Sequence, residues 1–446
     1  MKNLLKISLL IFSVYILNSC AKDQDDYVQA PLQTNLENRL ELLFGTKEAL
    51  ILPSANDYNA IPNDAKNTIT AAKVELGKFL YHETSLGKNP MKEEGMSTYS
   101  CASCHHAAAG FQSGILQGIG EGGIGFGIHG EGRVKSPNYL ESEIDVQPIR
   151  SPSVLNVAYQ DVMLWNGQFG GVGTNAGTEA NWTVDTPKAV NSLGFEGVET
   201  QAIAGIEVHR LVIDKDAIMS SSYKSLFDAA FPSDTEETRY TKINAGLAIA
   251  AYERTILPNE APFQKWLNGD DSAMSDNELE GAMLFFDKGQ CYTCHSGPGL
   301  NGMGFHALGM KDLAGENILT VIDDATKKGR GGFTGNPNDD YKFKTPQLYN
   351  LKDVNFFGHG GSFNSVKEVI TYKNDAQHEN IEVSANKLSE LFVPLDLTED
   401  EIDLITLFVE KSLYDSNLMR YQPSSLPSGN CFPDADPQAS EDMGCI

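Results

Sequence analysis

Apolar positions recur at helical spacing in four stretches of the chain. In TAAKVELGKFLYHET, residues 70–84, Val74, Leu76, Phe79 and Leu80 predict a helix. YTKINAGLAIAAYERTIL, residues 240–257, predicts an amphipathic one. SDNELEGAMLFF opens with Ser275 and Glu278 at capping-box spacing and runs almost directly into Cys291. TEDEIDLITLFVEKSL repeats the device with Thr398 and Glu401, followed by an apolar face of Ile402, Ile405, Leu407 and Phe408. Between the helices the pattern breaks. Residues 110–133 are glycine-rich and read as a loop, and a second loop rich in Gly, Asn and Thr extends to about residue 194. Alternating strand patterns are sparse. The expectation is a mainly α fold with long loops.

The N-terminus carries a different pattern. Lys2 and Lys6 precede an apolar run, Ile7 to Leu17, too short to span a bilayer stably as a helix. It ends in Leu17-Asn18-Ser19-Cys20, which resembles a bacterial lipobox. The expectation is a signal peptide over residues 1–19 and lipid on Cys20, giving an exported cell-envelope lipoprotein, periplasm-facing or anchored to the outer membrane. An ordinary secretory signal with a chance cysteine is the competing reading. Residues 20–65 have weak periodicity and read as a lipid-tethered lead-in.

Composition is that of a globular protein, but the formal net charge is −26. Such a surface repels phosphate backbones and excludes nucleic acid as a natural partner. It would attract a basic protein, or serve solubility alone.

The seven cysteines then sort by spacing. Cys20 takes lipid. Cys431 and Cys445 lie in a Pro-, Ser- and Asp-rich tail over residues 421–446, where an exported chain can keep a disulfide. Cys101 with Cys104, and Cys291 with Cys294, form two Cys-x-x-Cys pairs, each followed at once by a histidine, His105 and His295. Two thiols and an imidazole this close suit one small ring: the thiols add across the vinyl groups of a haem and the histidine ligates its iron. A thioredoxin-like pair does not need the histidine twice, and a zinc site would call for further ligand pairs nearby. His105 and His295 are thus the expected proximal ligands, with His106 a bystander.

Nine segments in order, among them LGKFLYHETSLG, SCASCH, RSPSVLNVAY, LWNGQ, IAAYERTIL, CYTCHSGPGL and FFGHGGSF, give the chain a resemblance to the bacterial di-haem cytochrome c peroxidase and MauG family over about residues 73–413. The resemblance implies two cytochrome c-like haem domains, residues 66–255 around a peroxidatic haem on His105 and residues 256–420 around an electron-transfer haem on His295. It implies two covalently bound haem c groups. Trp165 matches a tryptophan that the family places between them. Gln201 matches a distal glutamine. The distal glutamate has no clean match, and Glu207 and His209 lie where it should be; histidine, with an ordinary pKa of about 6.5, suits proton transfer. His129, in the glycine loop, resembles a loop histidine that caps the resting iron in some relatives. His306 matches a histidine packed near the second haem, while His82 and His378 read as surface residues.

The sixth ligand of the second haem departs from the family pattern. Counting from His359, the usual Met or Tyr position falls on Lys373, with Tyr372 beside it; Met419 is a third possibility. A methionine would raise the haem potential and an anionic oxygen would lower it. The family often holds calcium between the domains, but its asparagine is replaced near Arg150, which argues against calcium here. The implied reaction is reduction of hydrogen peroxide to water by a cytochrome-c peroxidase, with electrons from a small cytochrome c or cupredoxin. The alternatives are MauG-like oxidative modification of a partner protein, or a non-catalytic di-haem electron carrier or sensor. Relatives are often homodimers.

Overall fold

The computed structural model describes residues 31–315, 318–320 and 322–445. The expected signal peptide and Cys20 lie outside the described residues. Seven longer helices organise the chain: α1 (Leu32–Phe44), α2 (Ala71–His82), α3 (Gly197–Val208), α4 (Lys242–Arg254), α5 (Asp276–Phe286), α6 (Val366–Asp375) and α7 (Glu399–Leu407). Among the described residues, strand is confined to two antiparallel pairs of two residues each. β1 (Gly123–Ile124) pairs with β2 (Val134–Lys135), and β3 (Phe305–His306) with β4 (Phe343–Lys344). The fold is mainly α, as the periodicity predicts.

Two helix crossings carry the architecture. Thr70 caps α2 through the Lys73 amide and Thr241 caps α4 through that of Asn244. The two helices meet at Gly77, where an added Cβ would lie 1.9 Å from the Ala248 carbonyl oxygen. Only a residue without a side chain allows backbones so close. The second crossing repeats the first. Both capping boxes form, at Ser275/Glu278 on α5 and Thr398/Glu401 on α7. The helices meet at Gly281, where a Cβ would sit 2.1 Å from the Leu404 carbonyl oxygen. Each crossing is followed by one Cys-x-x-Cys-His turn. Both pairs share one continuous apolar core, which includes Leu76, Leu80 and Ala248 from the first and Leu279, Ile405 and Phe408 from the second.

Two expectations about the ends are corrected. The lead-in contains α1, whose Leu36 and Leu40 are fully buried. Arg39 fastens α1 to the end of α5, donating Nε–H to the Phe286 carbonyl at 2.8 Å and pairing with Asp287 at 3.0 Å. Its apolar stripe is short, which is why the sequence pattern looked weak. The C-terminal segment forms the expected Cys431–Cys445 disulfide, but it is no loose tail: it docks on the first Cys-x-x-Cys-His turn.

Candidate haem sites

The first turn is a short 3-10 coil, Cys101–Ser103, held by a hydrogen bond from the Ser100 amide to Ser103 Oγ at 2.9 Å. Cys101 and Cys104 are unpaired thiols. Burial pushes Cys101 up to about 12 and raises Cys104 as well, so both stay protonated rather than act as exposed redox thiolates. Tyr81 of α2 donates its hydroxyl to the His105 carbonyl at 2.6 Å. Burial pushes the His105 imidazole down to about 4. Backbone groups of Phe111 and Pro152 lie near the ring, yet none forms a well-shaped hydrogen bond to its buried Nδ1.

Helix α3 brings two predicted residues together beside this turn. Gln201 lies within α3 and His209 is its C-cap, and the two flank Gly205. A Cβ added to Gly205 between them would be 3.6 Å from Gln201 Nε2 and 3.9 Å from His209 Cδ2. His209 Nδ1 meets Asp145 Oδ2 at 2.9 Å, and Asp145 is buried. Burial opposes a charged ring here, but the Asp145 charge and hydrogen bond outweigh it and hold the His209 pKa above its usual value. The charge of His209 acts on His105. Glu207 does not belong to this group. It points out of the opposite face, exposed and paired with Lys242 at 2.6 Å, because a residue two positions from His209 lies about 160° away around a helix.

The remaining histidines are redistributed. His129 is exposed, with Nδ1 on the Ala108 carbonyl at 3.0 Å. His106 is no bystander: it is buried, and its Nε2 reaches the His129 carbonyl at 2.8 Å, tying the glycine loop to the haem turn. His82 is not a surface residue. It is fully buried beside Tyr81 and Phe432, and burial pushes it down to about 4. His378 is exposed, as expected.

The second turn, Cys291–Thr293, opens onto a deep, largely apolar cavity between α5, α6, α7 and the β3–β4 pair. Cys291 and Cys294 are again unpaired. His295 donates Nδ1–H to the Leu300 carbonyl at 3.0 Å. A carbonyl can only accept, so Nε2 keeps its lone pair. Burial pushes His295 down to about 4, leaving the neutral ring that ligation requires. Two buried cations line the cavity without a carboxylate partner among the described residues. Arg150 contacts only the Gln112 side-chain oxygen through its guanidinium, and the Lys344 amine only that of Gln160. Burial pushes Arg150 down to about 10 and Lys344 down to about 7. An unpaired buried cation is costly, and a haem brings two propionates to such a place. Free thiols, a neutral imidazole, apolar walls and unpaired cations therefore fit a covalently held haem.

Trp165 lines this cavity, nearly buried, and donates Nε1–H to the Arg150 carbonyl at 2.8 Å. Two residues further on, Pro152 lines the cavity and lies beside the His105 ring. Trp165 thus stands on a short covalent and hydrogen-bonded path between the two turns. Along α6, Val366, Val369, Ile370 and Lys373 share the cavity face at i, i+3, i+4 and i+7 spacing. Tyr372 turns away, donating its hydroxyl to the Leu308 carbonyl at 2.6 Å and packing on Phe363 and Phe392. Met419 is exposed and is not among the cavity residues, which removes it as a ligand. Met310 and His306 do line the cavity. Sequence reasoning missed Asp145 and Lys344, because neither stands in a motif and each meets its partners only through the fold.

The paired attachment turns define a c-type haem protein. The family model for di-haem cytochrome c peroxidase matches residues 71–272. A cytochrome-c peroxidase, IdrP1, of Denitromonas iodatirespirans is 28% identical over 379 residues, covering 80% of this chain and 86% of its own. The methylamine utilization protein MauG of Methylorubrum extorquens is 27% identical over 317 residues, covering 70% and 71%. A crystal structure of a MauG-like protein associated with microbial copper homeostasis has the same fold, with TM-score 0.56 and 22% identity over 82% of this chain and 96% of that one. Residues 71–272 thus match the di-haem cytochrome c peroxidase family, and the chain is similar over most of its length to cytochrome-c peroxidase and MauG proteins.

Proposed function

We propose that the chain is a di-haem c-type peroxidase of two cytochrome c-like units, reducing hydrogen peroxide to water with electrons from a small cytochrome c or cupredoxin. The observation that carries this reading is the asymmetry of the two sites: the first turn has a half-buried His209 on a buried Asp145 beside it, and the second has a deep apolar cavity. Reduction of one peroxide consumes two electrons and two protons. A haem held by Cys101, Cys104 and His105 would supply the iron that takes up peroxide and passes it electrons. Asp145 accepts Nδ1–H of His209 and so fixes the tautomer with the Nε2 lone pair free. That nitrogen can take a proton from one peroxide oxygen and return it to the other, and a positioned acid/base is typically worth about 10²–10⁴ in rate. Gln201, across Gly205 from His209, offers an amide to orient the substrate. Trp165 and the Arg150–Pro152 backbone link the electron-transfer unit to the peroxidatic one.

At the second unit Lys373 would join His295 in holding the iron of a bound haem. It sits on the cavity face of α6, burial lowers its pKa, and its charge acts on Cys291 and Cys294. The turned-away Tyr372, whose pKa burial raises, weakens the phenolate-based MauG-like alternative. Low-temperature EPR and near-infrared dichroism of the oxidised protein test this. An amine-ligated low-spin signal lost in Lys373→Ala and kept in Tyr372→Phe is expected, and a signal lost only in Met310→Leu overturns it.

Export and lipidation at Cys20 belong to the same reading, supported by the signal-like N-terminus and by a disulfide suited to an oxidising compartment. Radiolabelled palmitate incorporation, abolished by Cys20→Ala, tests it. The activity is tested on holoprotein from a host competent in cytochrome c maturation, reduced to the half-reduced state. Catalytic peroxide consumption that falls at least a hundredfold in His209→Ala is expected; no consumption at any reduction state overturns the proposal.

A further inference from the structure

The disulfide between Cys431 and Cys445 closes a ring of fourteen sequence positions. That ring grips two separate parts of the first haem unit. On the attachment turn, Ser100 Oγ donates to the Pro433 carbonyl at 2.8 Å and Ser103 Oγ to Asp434 Oδ1 at 2.5 Å. On the glycine loop, Asp436 Oδ1 accepts from the Gly125 amide at 3.0 Å, and Asp442 Oδ2 from the amides of Phe126 and Gly127 at 2.8 and 3.0 Å. Arg133, at the end of that loop, is buried between Asp434 at 3.0 Å and Asp436 at 3.4 Å. Its guanidinium also donates to the Gly120 carbonyl at 2.6 Å, and Gly120 in turn donates its amide to the carbonyl of Asp145 at 2.9 Å. Every one of these tail contacts falls inside the disulfide-closed ring.

The ring is also reachable. Cys445 is exposed, while Cys431 and the haem-turn cysteines are half-buried. Elsewhere the glycine loop is held by the β1–β2 pairing and by His106 Nε2 on the His129 carbonyl, and it is the amides of residues 125–127 that depend on the ring.

We infer that Cys431–Cys445 is a thiol-exchange site whose opening loosens the glycine loop beside the first haem-attachment turn. Its partner is a dithiol of the thioredoxin class. One partner thiolate attacks the exposed Sγ of Cys445, the Cys431 thiolate leaves and is protonated, and the second partner thiol resolves the mixed disulfide. The partner ends oxidised by two electrons, and the chain ends with two thiols. An open ring frees the far end of the short helix Pro437–Asp442, which Asp436 caps, so that this helix can leave the loop and the amides of residues 125–127 lose their acceptors.

The inference concerns the unit read above as peroxidatic, but hydrogen exchange reads the ring whether or not the protein reduces peroxide. The folded holoprotein is treated with reduced thioredoxin, its new thiols are alkylated, and amide exchange is followed by mass spectrometry. Alkylation at Cys431 and Cys445, with exchange over residues 123–133 faster by about tenfold or more and the 291–295 turn unchanged, is expected. Asp442→Ala, with the disulfide intact, is expected to loosen residues 126–127 alone. A disulfide that resists reduction in the folded protein, a loop that exchanges equally in both forms, or loosening spread over both units would each overturn the inference.

Discussion

Replacing Asp145 by Asn keeps the shape of the side chain and deletes its charge. In the native site that charge sits 2.9 Å from His209 Nδ1 and lifts the His209 pKa above its usual value. Two effects follow. The first is loss of a charge-assisted hydrogen bond, worth about 1.5–3 kcal/mol. If that energy is expressed in the transition state, it corresponds to about a 10- to 150-fold fall in the peroxide rate constant, at about 1.4 kcal/mol per decade. The second is a change of pH profile. His209 accepts a proton as its neutral ring, so the rate climbs as pH rises through its pKa. With Asp145 gone, burial and the neighbouring Arg210 both act to lower that pKa, and the acidic limb moves to lower pH. Stability carries the matching sign. A histidine pKa raised in the folded state contributes stability that is fully present below the unfolded value of about 6.5 and is lost as pH rises through the folded value. Asp145→Asn should therefore destabilise the protein more at pH 5 than at pH 8. Stopped-flow absorbance of half-reduced enzyme mixed with peroxide, across pH 5–9, measures the rate, and chemical denaturation at the two pH values measures the rest. A variant whose acidic limb stays in place, or whose rate is unchanged, would refute the assignment of His209 as the proton carrier.

Gly120→Ala should reproduce part of that phenotype, because its Cβ would stand 2.4 Å from Asp145 Oδ2. Glu207→Gln is the matching control, expected within twofold of wild type in steady-state turnover since the carboxylate is on the outer face of α3. Gly77→Ala presses a methyl against the Ala248 carbonyl and should cost about 1–3 kcal/mol by denaturation, more than the roughly 1 kcal/mol that alanine gains in helix propensity. Lys344→Met removes a buried positive charge from the second cavity and should lower the potential of the haem held there, read by spectroelectrochemistry.

The parts of the molecule legible in sequence were those whose interactions are local. A capping box spans three residues, and both boxes formed where the pattern placed them. The haem turns are five-residue motifs and carry their chemistry on their face. The tail disulfide closes within fourteen positions. What escaped was set by long-range packing. Asp145 meets His209 across 64 residues, and no spacing rule connects them. His82 looked like a polar helix end, yet the docked C-terminal ring buries it under Phe432. Glu207 shared a sequence neighbourhood with His209 but not a helical face. Tyr372 and Lys373 are adjacent in the chain, and only the rotation of α6 told the cavity-facing residue from the outward one.

Helix α1 is bolted to α5, so the described residues begin on the flank of the second Cys-x-x-Cys-His turn. Ten residues separate Cys20 from Pro31, a reach of at most about 40 Å fully stretched. Were Cys20 to carry lipid as proposed, that leash would keep the receiving half of the molecule close to the bilayer, where diffusion of a donor along the surface is two-dimensional.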